Sequence, residues 1–489
     1  MSDLPTGWVR SDVESLFNSF SGGTPSKSNA SFWNGSIPWV SSGDVKTEIV
    51  DGEKSETIIE EGLRNSSAKL CGVGSVIVVV RSGVLKHTLP VAVTSTEVAI
   101  NQDLKCFDSG NRALNKWLAL SLRNDAKKIL ELNREGTTVQ SVKYETLKQH
   151  ELIIPPLNEQ KRIVEKLEKL LGKVEAAQER LDKIPAILKR FRESVLAAAC
   201  AGKLTTDWRE ENKVTESASD LFAKITTERK RKFEEECALA VAKGRRKPKN
   251  QDSNKKSRNT AAELPAIPES WGYFRLEELT HLVTDGNHHT PKYVSAGVPF
   301  LSVKNVRPFL IRDGEIKFIT KEEHEDINQR CNPEKGDILY TKVGAKFGYA
   351  AENTLEYSFS IFVSLALIKP VHPFFLSKYA EAVINSEVVF AQARERVTGI
   401  GTPDLHLIEI RDFRIPFPPL EEQKEIVRRV EDLFKFADQI EERYKKARSY
   451  TDKLTQSILA KAFRGELVPQ DPNDEPASEL LARIRKSES

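Results

Sequence analysis

The chain has 489 residues and 39% hydrophobic content, too long for one core and apolar enough for two or three compact domains. Its net charge of +3 excludes a uniformly polybasic or polyacidic protein, although between Lys243 and Arg258 eight Lys or Arg residues meet one acid, Asp252. With no eighteen-residue apolar run and no basic-then-apolar leader at Met1, neither a membrane span nor a signal peptide is expected, and a cytoplasmic location follows. The five cysteines, at 71, 106, 200, 237 and 331, form no Cys-x-x-Cys pair and are odd in number, which argues for reduced thiols rather than a disulfide framework or a zinc site.

In chain order, a Pro and Trp segment, Leu4-Pro5-Thr6-Gly7-Trp8, leads into a short amphipathic stretch, Asp12 to Phe17. A Gly and Pro-rich turn region follows, then apolar runs bounded by turn residues that predict strands: Ile37 to Val40, Gly74 to Val80 and one near Val98-Ala99-Ile100. A helix containing Trp117 to Leu120 completes a mixed α and β domain of about 150 residues. The same order returns later, with Ile267-Pro268-Glu269-Ser270-Trp271, Leu276 to Leu279, strands at Val298 to Leu301, Gly336 to Thr341 and Ser364 to Ile368, and a helix around Phe375 to Tyr379.

After each domain comes a closely repeated block. Pro155-Pro156-Leu157-Asn158-Glu159-Gln160-Lys161 reappears as Pro418-Pro419-Leu420-Glu421-Glu422-Gln423-Lys424, at an offset of 263 that runs without a gap from Pro155 to Thr205, with 19 of 51 positions identical. Apolar residues in the first copy alternate by four and three at Ile163, Leu167, Leu170, Val174, Ala177, Leu181, Ile184, Leu188, Phe191 and Val195. The second copy fills the same slots with Ile426, Val430, Leu433, Ala437, Ile440, Tyr444, Ala447, Thr451, Leu454 and Ile458. This register predicts two long helices packed along one seam, with a bundle core as the alternative. About forty residues rising 1.5 Å each make a rod near 60 Å. Pro185 lacks an N–H and would clash with the carbonyl of Leu181, which predicts a kink or short break. If the copies pair about a pseudo-two-fold axis they run antiparallel and hold the globular domains at opposite ends, as a dumbbell. Ala218 to Ile225 also recurs, as Ala477 to Ile484, predicting a small helix after each rod. The unmatched stretch from Thr227 to Glu263 is expected to be helical to about Lys243 and then a basic, flexible linker.

Catalytic motifs do not emerge. Gly22 to Ser28 ends like a P-loop but has Ser26 where the glycine before Lys27 is needed. Pro403-Asp404 with Glu409-Ile410-Arg411 places arginine where a nuclease site needs lysine. Adjacent His288 and His289 do not converge on one metal ion. The Asn or Asp-Pro-Pro-Tyr or Phe motif of adenine methyltransferases is missing as well.

The repeated Pro-Pro-Leu-x-Glu-Gln-Lys blocks with their helices, Lys189 to Leu196 with Gly202-Lys203-Leu204-Thr205, and Ser457 to Leu467 together resemble the specificity subunit of type I restriction-modification systems, over nearly the whole chain. The resemblance implies an α+β fold: two mixed α/β target-recognition domains in pseudo-two-fold arrangement, separated by two long antiparallel helices forming a coiled coil. It implies a non-catalytic subunit that reads the two halves of a split, asymmetric double-stranded DNA target, the helices setting the spacer. Two modification subunits would bring S-adenosylmethionine and methylate adenine, and restriction subunits would bring ATP and magnesium, so the chain would hold no cofactor or metal of its own. On this reading residues 1–154 and 264–417 are the recognition domains, 155–205 and 418–468 the long helical regions, 206–263 a helical, basic linker and 469–489 a short C-terminal helix.

Base reading needs forked donors and acceptors on exposed turns. Candidates in the first domain are Lys27, Asn29, Ser41, Arg81, Ser82, Lys86, His87, Thr137, Thr138 and Ser141; in the second they are His288, His289, Lys292, Tyr293, Lys304, Asn305, Lys342, Lys346 and Thr402. Solvated surface or phosphate contact is the competing role for each. The expected seam consists of Ile163, Leu167, Leu170, Val174, Leu181, Ile184, Leu188, Phe191, Ile426, Val430, Leu433, Ile440, Tyr444, Leu454 and Ile458. Helix flanks and the Glu159-Gln160 and Glu422-Gln423 pairs are expected to dock the modification subunits. A coiled-coil scaffold without DNA sequence preference and an enzyme with an unrecognised site are the alternatives.

Overall fold

The computed structural model describes residues 4–133, 141–212, 216–242, 244, 262–312, 314–397 and 403–487, with side chains through residue 483. The chain folds as two compact units, residues 1–182 with 445–489, and residues 183–444. Each unit therefore contains one globular domain and pieces of both repeated helical regions.

In the first unit the apolar run of the sequence becomes the strand Val76–Val79, buried at all four positions, as a strand covered on both faces should be. It lies third in a five-stranded sheet of order Asn18–Ser21, Leu104–Asp108, Val76–Val79, Val91–Thr94, Ile49–Val50. A second sheet has the order Glu56–Ile58, Trp33–Val40, Val98–Ile100, Lys69–Cys71, with Trp39 opposite Ala99 in parallel. The helix Arg112–Asn124 starts on Asn111, whose carboxamide oxygen accepts from the N–H groups of Ala113 and Leu114, and buries Leu114, Trp117, Leu118 and Leu122. Asp12 to Phe17, expected to be amphipathic, ends a strand and turns, with Val13, Leu16 and Phe17 in the core.

The second unit repeats this frame. The strand Ile338–Thr341, again wholly buried, stands between Leu365–Pro370 and Ala350–Glu352, with Thr280–Asp285 at the edge. Phe300 pairs in parallel with Ser360, the counterpart of Trp39 with Ala99. Tyr379 donates from its hydroxyl to the Pro416 carbonyl at 2.7 Å where the first domain has Trp117 donating from Nε1 to the Ile153 carbonyl at 2.8 Å. Each domain closes by pairing its first strand with its last, Val9–Asp12 with Glu151–Ile154 and Gly272–Arg275 with Arg414–Phe417.

The repeated Pro-Pro-Leu-x-Glu-Gln block serves this closure. Trp8 Nε1 donates to Glu159 Oε2 at 2.9 Å, and Trp271 Nε1 donates to Glu422 Oε2 at 2.7 Å. Gln160 and Gln423 turn back on the carbonyls of Pro155 and Pro418, at 2.8 and 3.1 Å. All four Glu and Gln side chains are buried, between 0% and 1% exposed. The expectation that these pairs dock partner subunits is corrected here: a group buried within its own chain offers nothing to another, and the motif is a clasp joining domain to helix. The two clasps differ in charge. Glu422 also accepts from Thr205 Oγ1 at 2.7 Å and from Arg209 Nη1. Among the described residues no arginine hydrogen-bonds Glu159, and burial pushes its carboxyl above the usual carboxylate range against the hydrogen bond from Trp8 and the charge of Arg162.

The helix Leu157–Leu181 ends at Asp182, and Ile184–Cys200 begins with Pro185 in its first turn, so the break expected at that proline is present. The later helix, Leu420–Phe463, has no such break. In the first unit Gln178 Nε2 donates to Asp452 Oδ1 at 3.0 Å and Arg448 Nε to Asp182 Oδ1 at 3.1 Å. In the second, Arg192 Nη2 donates to Asp438 Oδ1 at 2.7 Å and Glu441 Oε2 at 2.9 Å. Within the first unit the numbers rise on one helix as they fall on the other, an antiparallel pairing. Of the expected seam positions, Ile163, Leu167, Val174, Leu188, Ile426, Val430 and Ile458 are buried, and Leu170, Leu181, Ile184, Phe191, Leu433, Ile440, Tyr444 and Leu454 are half-buried. Ile163, Leu167, Val174 and Ile458 share one cluster with Trp8 and Trp117, and Ile426 and Val430 share another with Trp271.

Both helical repeats finish on the domain of the other repeat. Gly202, at φ +68°, packs on Pro268 and Gly465, at φ +72°, on Pro5; a Cβ would lie 2.5 Å from Pro268 Cγ in one case and 2.8 Å from Pro5 Cγ in the other. The helices that follow, Ala218–Ala242 and Ala477–Ser487, start with Ala218 N–H donating to the Ser270 carbonyl and Ala477 N–H to the Gly7 carbonyl. Gly465→Ala is expected to cost about 1–2 kcal/mol from the left-handed backbone alone, with the proline contact adding to it. A fall in the melting temperature of the full chain checks this; no change would mean the junction relaxes freely.

Candidate nucleic-acid interface

In the first domain the loop after the central strand gathers several predicted residues. Ser82 caps the short 3-10 turn Gly83–Lys86, accepting from the Val84 N–H at 3.4 Å, and His87 closes it. Arg81 bridges to Ser141, and Val142 N–H donates to the Val80 carbonyl at 2.8 Å. The structure thus brings Arg81, Ser82, Lys86, His87 and Ser141 together, and all but half-buried Ser82 are exposed. Arg81 leans toward Asp103 at 3.8 Å, an exposed contact that fixes it weakly. Beside this loop stands Lys105, its Nζ 4.6 Å above the Tyr144 ring; burial first, and then the charge of Arg81, push its ammonium below the usual lysine value.

Lys27, Asn29 and Ser41 lie on other turns. Lys27 Nζ is 3.7 Å from the centre of the Trp33 ring and 2.6 Å from Glu56 Oε2, so it is held by an aromatic face and a carboxylate. Asn29 caps a short turn through Ser31, and Ser41 donates to Asp44 Oδ2 at 2.7 Å. In the second domain the residue in register with Glu56 is Lys317, because Trp39 pairs with Glu56 and Phe300 with Lys317. Lys317 Nζ sits 4.0 Å over Tyr293. The two domains therefore place a cation over an aromatic ring in the same region, delivered from different elements.

The equivalent loop of the second domain follows Ile338–Thr341. Val343 bridges to Asp404 and Leu405 N–H donates to the Lys342 carbonyl at 2.9 Å, matching the first domain's contacts. Lys342, expected on an exposed turn, is corrected: its side chain is 7% exposed, between Asp285 at 3.6 Å and Asp404 at 3.7 Å. Asn305 is also buried, because its carboxamide ties the turn together, accepting from Ser302 N–H and donating to the carbonyls of Arg312 and Gly314. His288, His289, Lys292, Tyr293, Lys304 and Lys346 are exposed, and Lys304 stands apart with the Asn305 turn. Thr137, Thr138 and Thr402 lie outside the described residues. Sequence reasoning passed over Asp285, Arg330, Lys105 and Lys317. A buried acid at a strand end and cations from distant loops give no local signal, although Trp33 near Lys27 in a Gly and Pro-rich turn was a usable one.

Comparison with known proteins resolves what this frame is. The family model described as the type I restriction modification DNA specificity domain matches twice, over residues 5–186 and 268–447. The chain belongs to this family. It is 30% identical over 389 residues to the type I restriction enzyme EcoDI specificity subunit of Escherichia coli, covering 76% of this chain and 75% of that protein. It is 32% identical over 375 residues to the EcoBI specificity subunit of the same organism, covering 73% and 68%. The fold is similar to that of the HsdS subunit from Thermoanaerobacter tengcongensis, with a TM-score of 0.51, 17% identity and coverage of 95% of this chain and 99% of that one. It is similar as well to a chain from a structure describing complex assembly and conformational transition of the type I R-M system, with a TM-score of 0.61, 18% identity and coverage of 96% and 100%. A type I specificity subunit is not itself the enzyme; catalysis resides in the partner subunits of the complex. Among the described residues no helix is long and apolar enough to cross a membrane.

Proposed function

We propose that this chain reads a split, asymmetric DNA sequence, each globular domain taking one half. The observation that carries this reading is a shared frame with unlike loops: the clasps Trp8–Glu159 and Trp271–Glu422 recur at identical spacing, whereas in the loop after the central strand Arg81 and Ser82 of the first domain correspond to Val343 and Gly344 of the second. Equal frames present their loops alike, and different loops read different bases.

Residues 1–154 and 264–417 are the reading domains, 155–205 and 418–468 the helical regions, 206–263 the linker and 469–489 the C-terminal helix. The helices pair antiparallel as a coiled coil about a pseudo-two-fold axis and set the spacer. The alternating burial of the seam positions and the ion pairs of Arg192 and Arg448 support that arrangement. Two modification subunits supplying S-adenosylmethionine dock on the exposed helix flanks, restriction subunits supply ATP and magnesium, and the assembly works in the cytoplasm. Footprinting of the chain with its modification subunits is expected to give two protected half-sites separated by an unread gap. One continuous site would refute the split, and protection independent of sequence would favour a scaffold.

A further inference from the structure

The second domain holds a charged cluster at a place where the matching described residues of the first domain carry no charge. Asp285, at the end of the edge strand Thr280–Asp285, has a side chain only 5% exposed. Three nitrogen side chains from separate loops meet it: His288 Nε2 at 3.0 Å, Arg330 Nη1 at 3.1 Å and Lys342 Nζ at 3.6 Å. Arg330 also donates from Nη2 to the Gly286 carbonyl. Lys342 is buried and reaches on to Asp404, but His288 and Arg330 remain 58% and 51% exposed. The cluster therefore has a buried acid at its base and two oriented, accessible side chains at its rim.

Register identifies the corresponding places in the first domain. Gly22 and Gly286 each pack against a neighbouring strand's carbonyl, of Ile100 and Ile361, and the next N–H, of Gly23 and Asn287, donates to that carbonyl. Asp285 thus matches Ser21, and His288 matches Thr24. Lys342 matches Val80 through the Leu405 and Val142 hydrogen bonds. None of these three first-domain residues is charged, so the cluster belongs to the individual domain and not to the common frame.

The geometry points to Asp285 as a positioning residue that aims Arg330 and His288 at a G·C pair in the major groove of the half-site read by the second domain. This rests on the DNA-reading function proposed above. Arg330 keeps further N–H donors beyond those given to Asp285 and Gly286, and guanine offers two acceptors, N7 and O6. Because a carboxylate can only accept, His288 donates to it through Nε2, and in the Nε2–H tautomer Nδ1 is left as an acceptor, the complement of the cytosine amino group. A phosphate grip fits less well. Asp285 and Asp404 offset the formal charges of Arg330 and Lys342, whereas backbone contacts depend on uncompensated cations that displace counterions. Direct reading needs donors held in one orientation, which a buried carboxylate provides.

The test uses the full chain assembled with its modification subunits, as wild type and as Arg330→Ala, His288→Ala and Asp285→Asn. Methylation is read across a duplex library randomised over the target, at two salt concentrations. Arg330→Ala is expected to slow methylation of the cognate target about ten- to a hundredfold and to relax preference at one G·C pair of one half-site only. His288→Ala and Asp285→Asn should relax the same or the adjoining pair. Arg330 is half exposed and its removal leaves Asp285 with Lys342 and His288, so Arg330→Ala decides the matter should Asp285→Asn fail to assemble. A uniform loss on all duplexes with a shallower salt dependence would make the cluster a phosphate contact and overturn the inference, as would an unchanged preference. A wild-type complex with no split target would instead sink the DNA-reading function itself.

Discussion

Glu422→Ala is expected to lower the stability of its unit by about 3–5 kcal/mol, the usual consequence of removing one member of a buried charged pair. Glu422 is 0% exposed and takes hydrogen bonds from Trp271, Thr205 and Arg209, the last only 18% exposed. Alanine leaves an arginine without its carboxylate and an indole N–H without an acceptor, at the point where domain and helix join. The matching change, Glu159→Ala, should cost less, about 1–2 kcal/mol. It strands only the Trp8 N–H and also removes a carboxyl that burial already disfavours as an anion. Hydrogen exchange of the amides after Leu157 and after Leu420 measures both. Equal losses, or the reverse order, would contradict the charge difference between the clasps.

Deleting one heptad from each rod, residues 171–177 and 453–459, is the second large effect expected. The deletions keep the seam register and remove about 10 Å of rod, near the length of three base pairs. Both segments lie in the first unit, where Gln178 meets Asp452 and Asp182 meets Arg448, so the pairing beyond the cut can reform. If the rods are a ruler, the tolerated spacer in the methylated target shortens by about three base pairs, or binding is lost because the domains no longer face one side of the duplex. Methylome sequencing of cells carrying the deletion reads the spacer directly. An unchanged spacer would refute the role given to the rods.

Much of the frame was legible because it depends on local periodicity. The strand at Val76–Val79, the helix over Trp117, the break before Pro185 and the start of the helix at Ala218 all follow from patterns within a few residues of themselves. The reading surface was less legible. Lys342 and Asn305 sit in turn-like sequence yet are buried: the partners of Lys342, Asp285 and Asp404, arrive from other loops, and Asn305 turns its carboxamide inward to tie its own turn together. Arg330 carried no mark at all, since its place beside Asp285 is made by chain segments 45 residues apart.

The amino-acid order by itself determined the duplication, the two mixed domains, the heptad rods and the family, because repeats and periodic apolar faces are properties of neighbours along the chain. Only the tertiary structure decided that the Glu-Gln pairs are interior clasps rather than docking surfaces, and that Gly202 and Gly465 each close on the other repeat's domain. Burial and long-range pairing depend on which segments meet: each clasp joins the two ends of one domain's own repeat, and each glycine junction joins a helix to the domain of the other repeat.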